Sequence, residues 1–134
     1  DALSTKFSVS IIPVYFDISK TEEIKNAVKF IQASKKPIDI LVNNAGITYN
    51  ALFQMSTLEK IKEVFEINFV SQFILTQYIS KLMIRKKSGS IINISSTAGI
   101  DGNSGRSVYG ASKAAVICMT KAQIQKCFQV CQQD

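Results

Sequence analysis

The chain has 134 residues, 46% of them hydrophobic, and a net charge of +6. That suits one domain with enough apolar material for a core, and no apolar run approaches the ~20 residues of a membrane helix. The absence of histidine excludes the commonest general base, and three cysteines without C-x-x-C spacing argue against a disulfide framework.

The predicted elements alternate. Val9 to Phe16 is a β-branched, apolar run that reads as a strand ending at Asp17. Ser19 with Glu22 has capping-box spacing, and Ile24, Val28 and Ile31 then recur at helical intervals until Pro37 closes the helix. Ile38 to Val42 is a short buried strand, punctuated by Asn43, Asn44, Ala45 and Gly46. Ser56 with Glu59 is a second capping box. It opens a long helix to about Lys87 that turns Leu58, Ile61, Phe65, Phe69 and Phe73 toward a core. Ser90 to Ile94 is a third strand ending in Ser95 and Ser96. Gly99, Gly102 and Gly105 then form a loop, and a last helix starts near Ser107.

This alternation predicts an α/β fold with a doubly wound parallel sheet, in which ligands bind beyond the carboxyl ends of the strands. Those ends carry Asp17, the Asn-Asn-Ala-Gly turn, and Ser95-Ser96. Tyr109 and Lys113, four residues apart, share one face of the last helix. An ammonium beside a phenol lowers its pKa from about 10, which fits the phenol to exchange a proton with a carbonyl oxygen. A serine hydroxyl at the strand end would steady the charge on that oxygen. Ser95 and Ser96 fit this pattern equally.

Lys81, Arg85, Lys86 and Lys87 close the long helix, where cations suit the macrodipole. With no DNA-binding motif, no nucleic-acid partner is expected. Cys127 and Cys131 could share a helix face, but two thiols without histidine make a poor zinc site. Cys118, Cys127 and Cys131 read as reduced thiols, consistent with a cytoplasmic protein that neither holds a metal nor spans a membrane.

Asn43-Asn44-Ala45-Gly46 after a strand, Asn68 within the long helix, Ser96 after the next strand, and Tyr109 with Lys113 resemble the short-chain dehydrogenase/reductase family in residues, order and separation. The resemblance covers roughly residues 8 to 122. It implies a Rossmann-like fold, a nicotinamide cofactor, and hydride exchange with a carbonyl or alcohol. It also assigns roles. Tyr109 would donate or accept the proton, and Ser96, selected over Ser95 only by family spacing, would orient the carbonyl. Lys113 would hold the nicotinamide ribose, and Asn68 would anchor a water linking that lysine to solvent. Asp17 and Ile18 would flank the adenine, with Asn44, Ala45 and Gly46 along the adenosine ribose. Ala45-Gly46-Ile47-Thr48 and Gly102-Asn103-Ser104-Gly105 are similar to the loops of 3-oxoacyl-carrier-protein reductases and related carbonyl reductases. That likeness implies an acyl-thioester substrate and tilts the cofactor choice from NAD toward NADP. The family resemblance further implies a homo-oligomer, a dimer or tetramer, built through the two long helices.

Two features depart from the family. No G-x-x-x-G-x-G turn precedes the first predicted strand, and the strand whose end chooses between NAD and NADP is missing. Gln123 to Asp134 is a polar, cysteine-bearing tail unlike the family's continuation. The chain, which opens on Asp1 rather than Met, therefore reads as one partial domain. In the strand order 3-2-1-4-5-6 the run ending at Phe16 would lie ~14 Å from the strand ending at Val42, with nothing between them. Such a sheet is expected to be incomplete, and the chain alone to bind cofactor poorly. The rival expectation is a truncated, catalytically inactive family member that retains only an interaction surface.

Overall fold

Only two of the aliphatic runs find each other as strands. In the computed structural model, which describes residues 2–131 and the side chains of residues 4–123, β1 (Ile40–Asn43) and β2 (Ser90–Asn93) pair in parallel. Their register runs from Ile40 opposite Ser90 to Asn43 opposite Asn93. A parallel pair needs a long crossover, and a helical rod supplies it: α3 (Leu58–Phe65), a π-helical turn (Glu66–Val70), then α4 (Ser71–Lys86). The short α1 (Ala2–Phe7) and α2 (Thr21–Ala33) precede the sheet, and α5 (Ser107–Cys131) follows it. Among the described residues, no helix is long and apolar enough to cross a membrane.

Period-two alternation sets the sheet's two faces. Leu41 and Ile91 turn toward a core made by Ile24 and Val28 of α2 with Ile79 and Met83 of α4, joined by Phe16, Ile18 and Ile38. Each such side chain contributes about 1.5–3 kcal/mol when fully buried. Ile40, Val42 and Ile92 lie on the opposite face and are exposed. A second packed region joins Val64 of α3 and Asn68 of the π turn to Val108, Ser112 and Val116 of α5.

Several expectations need correcting. Val9 to Phe16 is not a strand, and residues 10–16 make no backbone–backbone hydrogen bond among the described residues. A strand is defined by its neighbour, and among the described residues β1 pairs with β2 alone. Ser19 does not cap α2, whose N-cap is Lys20. Asp17 takes both the Ser19 amide (2.9 Å) and the Ser19 hydroxyl (2.7 Å) instead. The cap of α3 is Thr57 rather than Ser56, its hydroxyl accepting from the Lys60 amide at 3.3 Å. The predicted apolar stripe of the rod is not its buried face: Leu58 is 59% exposed and Phe73 40%. The buried positions are Val64, Asn68, Ser71, Gln72, Thr76, Ile79 and Met83. The last helix does begin at Ser107. Cys118 is a free, exposed thiol, and the side chains of Cys127 and Cys131, like most of the polar tail, lie outside the described residues.

Candidate functional site

The carboxyl ends of β1 and β2 are tied together by a buried polar relay. The Asn43 amide donates to the Asn93 side-chain oxygen and to the Thr76 hydroxyl, each at 2.7 Å, and the Asn93 amide donates to the Thr120 hydroxyl at 2.9 Å. Both strand ends are thereby fixed to α4 and α5. Asn44, Ala45 and Gly46 emerge beyond this tie, exposed.

Two fully buried amides hold that turn from below. Asn68 donates to the Ile47 carbonyl (2.9 Å) and accepts from the Ile47 amide (2.8 Å), and it donates to the Ser112 hydroxyl at 3.0 Å. Ser112 passes its own proton to the Tyr109 carbonyl at 2.7 Å. Gln72 donates to the Ala45 carbonyl. A π turn, common at functional sites, delivers Asn68, and the Glu66 carbonyl accepts both the Ser71 backbone N–H and the Ser71 hydroxyl, the latter at 2.7 Å. Sequence reasoning passed over Gln72 and Ser112. The signal was there: Asn68, Gln72 and Thr76 recur every four residues with Ser71 beside them, placing uncharged polar side chains on one face of the rod.

The two serines after β2 point to different tasks. Ser95 donates its hydroxyl to the Lys113 carbonyl at 2.9 Å, so its proton is spent on α5. Ser96 caps the one-turn helix Thr97–Gly99, its oxygen accepting from the Ala98 amide at 3.2 Å. The Ser96 proton has no acceptor among the described residues, which leaves it to donate outward. Two glycines press this turn against α5. A Cβ on Gly99 would lie 2.7 Å from the Ala114 nitrogen, and one on Gly110 would lie 2.6 Å from the Ala98 oxygen. The predicted loop role of Gly99 is thus a close-packing role, and Gly110 shares it.

Lys113 is 4% exposed, its ammonium donating to the Ile94 carbonyl at 2.9 Å. Burial pushes its pKa below the usual lysine range. Gly46 sits directly over it: a Cβ there would come within 3.2 Å of the Asn68 side-chain oxygen and 3.5 Å of the Lys113 ammonium. This bare glycine leaves an open cradle above a buried amine with donor capacity to spare, which fits a polyhydroxylated ligand such as a cofactor ribose. Tyr109 is half-buried one turn before Lys113, and its hydroxyl makes no hydrogen bond to a described residue. The structure therefore brings Gly46, Asn68, Ser112 and Lys113 together, with the Ser96 turn packed on the same helix. It does not join Asp17 or Ile18 to them. The Asp17 carboxylate is held low mainly by its hydrogen bonds from Ser19, and Ile18 packs against the core.

Residues 1–128 match the family described as short chain dehydrogenase. The chain is 42% identical over 110 residues to the 3-oxoacyl-[acyl-carrier-protein] reductase of Synechocystis sp., a match covering 82% of this chain and 44% of that protein. It is 39% identical over 113 residues to the acetoacetyl-CoA reductase of an Acinetobacter species, covering 84% and 46%. Its fold superposes on a short-chain dehydrogenase from Streptomyces avermitilis with a TM-score of 0.87 at 28% identity, over 93% of this chain and 46% of that one. An NAD+-bound xylitol dehydrogenase matches with a TM-score of 0.76 at 30% identity, over 80% and 42%. The chain spans about half the length of the curated relatives it matches.

Proposed function

The chain belongs to the short-chain dehydrogenase family, and from that premise we propose that it carries the catalytic half of an NAD(P)-dependent oxidoreductase acting on a carbonyl or alcohol. The observation that carries this reading is the buried Lys113 amine beneath Gly46, on the same helix as Tyr109 and against the Ser96 turn. When bound, the nicotinamide cofactor supplies or accepts the hydride. Tyr109 gives its proton to the substrate oxygen, or recovers it in the reverse direction. Ser96 donates a hydrogen bond to the same oxygen. Lys113 would hold the nicotinamide ribose and place positive charge beside the reacting oxygen. Asn44, Ala45 and Gly46 would lie along the adenosine ribose, and Asp17 with Ile18 would flank the adenine. Asn68 binds the turn to α5, both its amide protons going to Ile47 and Ser112, and its oxygen, which accepts one bond from Ile47, keeps a lone pair for the water that would link Lys113 to solvent.

Among substrates we favour a 3-oxoacyl thioester and among cofactors NADP, on the loop resemblance and the names of the relatives. We also favour a cytoplasmic protein that forms a homo-oligomer through the rod and α5, a contact the exposed Leu58 and Phe73 on the rod support. A second reading, a catalytically inactive family member that keeps an interaction surface, has two observations in its favour: the two-stranded sheet and the lack of backbone pairing at residues 10–16, both among the described residues. Titrating the chain with NADPH and NADH, then adding acetoacetyl-CoA, separates the two. Saturable binding with thioester-dependent cofactor oxidation, reduced at least about a hundredfold by Tyr109→Phe, supports the enzyme. Saturable cofactor binding with no thioester-dependent oxidation favours the second reading, since weak binding by the chain alone is expected of both.

A further inference from the structure

We propose that Gln72 is a positioning residue for the cofactor-binding turn, acting through the Ala45 carbonyl; this rests on the reading that Asn44, Ala45 and Gly46 line the cofactor. Among the described residues, no backbone–backbone hydrogen bond holds any residue from 44 to 50. The turn is instead fixed at Ala45 by Gln72 and at Ile47 by Asn68. Both side chains are fully buried and stand four residues apart on the rod.

The direction of the Gln72 contact decides what the turn offers a ligand. In a trans peptide the carbonyl and the following N–H point opposite ways, and no peptide bond among the described residues is cis. With the Ala45 carbonyl drawn down toward α4, the Gly46 N–H is directed up to the open side, where Gly46 is exposed. That amide makes no hydrogen bond to a described residue. Gln72 thus sets a backbone donor above the Lys113 ammonium, with the Ile47 N–H withheld by Asn68. Loss of Gln72 frees the Ala45 peptide to rotate and removes that donor from its place.

A second feature separates this role from plain structural support. The Gln72 side-chain oxygen is buried without a hydrogen-bond partner, as is that of Asn43. An orphaned buried acceptor is destabilising, and an apolar side chain of equal length would avoid it. The Gln72 amide therefore leaves its acceptor unmet in the interior while its donor is committed to the Ala45 carbonyl.

The test uses the full chain with Gln72→Met, which removes donor and orphan together, and Gln72→Glu, which can donate only when protonated. Three readouts are taken: the unfolding midpoint, hydrogen exchange at the Gly46 and Ile47 amides, and steady-state kinetics with varied cofactor. For Gln72→Met we expect an unfolding midpoint equal to or above wild type, Ile47 protection reduced about tenfold, and cofactor KM raised about tenfold with kcat within about twofold. A buried carboxyl titrates above its usual range, so Gln72→Glu should lose Ile47 protection at alkaline pH and regain it on acidification. Unchanged Ile47 exchange in Gln72→Met overturns the proposal, as does a loss of stability that accounts for the kinetic change. A wild-type chain without turnover sinks the cofactor reading, and the exchange comparison alone then decides whether Gln72 orders the turn.

Discussion

Gly99→Ala is the most direct probe of how Ser96 is held against α5. The added Cβ would lie 2.7 Å from the Ala114 nitrogen, 2.8 Å from the Lys113 carbonyl carbon and 3.1 Å from the Lys113 Cβ. Two of those three atoms belong to the helix backbone and cannot swing aside. Non-bonded carbon contacts relax near 3.5–4.0 Å, so the turn must withdraw by about 1 Å or deform the helix. Overpacking of this kind costs about 1–3 kcal/mol. At about 1–1.5 kcal/mol per molar of urea, a loss near 2 kcal/mol moves the midpoint down by about 1–2 M. Gly110→Ala meets the same turn from the other side, 2.6 Å from the Ala98 oxygen, but recovers about 1 kcal/mol of helix propensity. Its net loss should be the smaller. Since either substitution opens the same contact, the double variant should be more stable than the sum of the singles allows, by about 1 kcal/mol. Urea unfolding followed by far-ultraviolet circular dichroism measures all three. A Gly99→Ala midpoint equal to wild type, or strict additivity, would refute the close-packing argument.

Other outcomes follow from single contacts. Thr57→Ala should destabilise α3 by about 1 kcal/mol while Ser56→Ala changes little, read as denaturant midpoints, because the cap is Thr57. Burial lowers the Lys113 pKa, so the folded state binds fewer protons than the unfolded one between its depressed value and the ordinary lysine value. Stability should therefore rise with pH through that window, and Lys113→Met should abolish the rise while being no less stable at neutral pH. Amides of residues 10–16 should exchange within the dead time of a hydrogen-exchange experiment, whereas those in the middle of α4 remain protected. Protection across residues 10–16 would mean that the segment has found a strand partner.

The elements that were legible in the sequence are those whose signal is local. Ile40–Asn43 and Ser90–Asn93 are short aliphatic runs closed by turn residues, and the rod and α5 have helical periodicity with recognisable ends. Val9 to Phe16 has as strong a strand signal, but pairing is a property of two segments and cannot be read from one. Ser19 shows how local chemistry misleads. Its hydroxyl was free to cap α2, and Asp17, two residues back, claimed it first. The buried face of the rod was misjudged because the polar residues that hold the Ala45–Ile47 turn lie inside, which pushes Leu58 and Phe73 outward. Tyr109 and Lys113 stood out by their four-residue spacing on the last helix, whereas Ser96 was chosen over Ser95 only on the family resemblance. Gly99 and Gly110 were not found for what they do, because close approach between two backbones leaves no pattern along either one.

The π turn also makes the rod tolerant of changes in length at one place. Elsewhere in α3 or α4, inserting or deleting one residue would rotate the two halves by about 100° relative to each other. Val64 could then no longer face α5 while Ile79 and Met83 face α2. The five residues from Glu66 to Val70 already contain one more than an α-helical turn requires, the Glu66 carbonyl reaching five residues on to the Ser71 N–H. A deletion there would remove the bulge and leave both flanking faces where they are. When relatives of different lengths are aligned across this rod, the gap should therefore be placed between Glu66 and Val70.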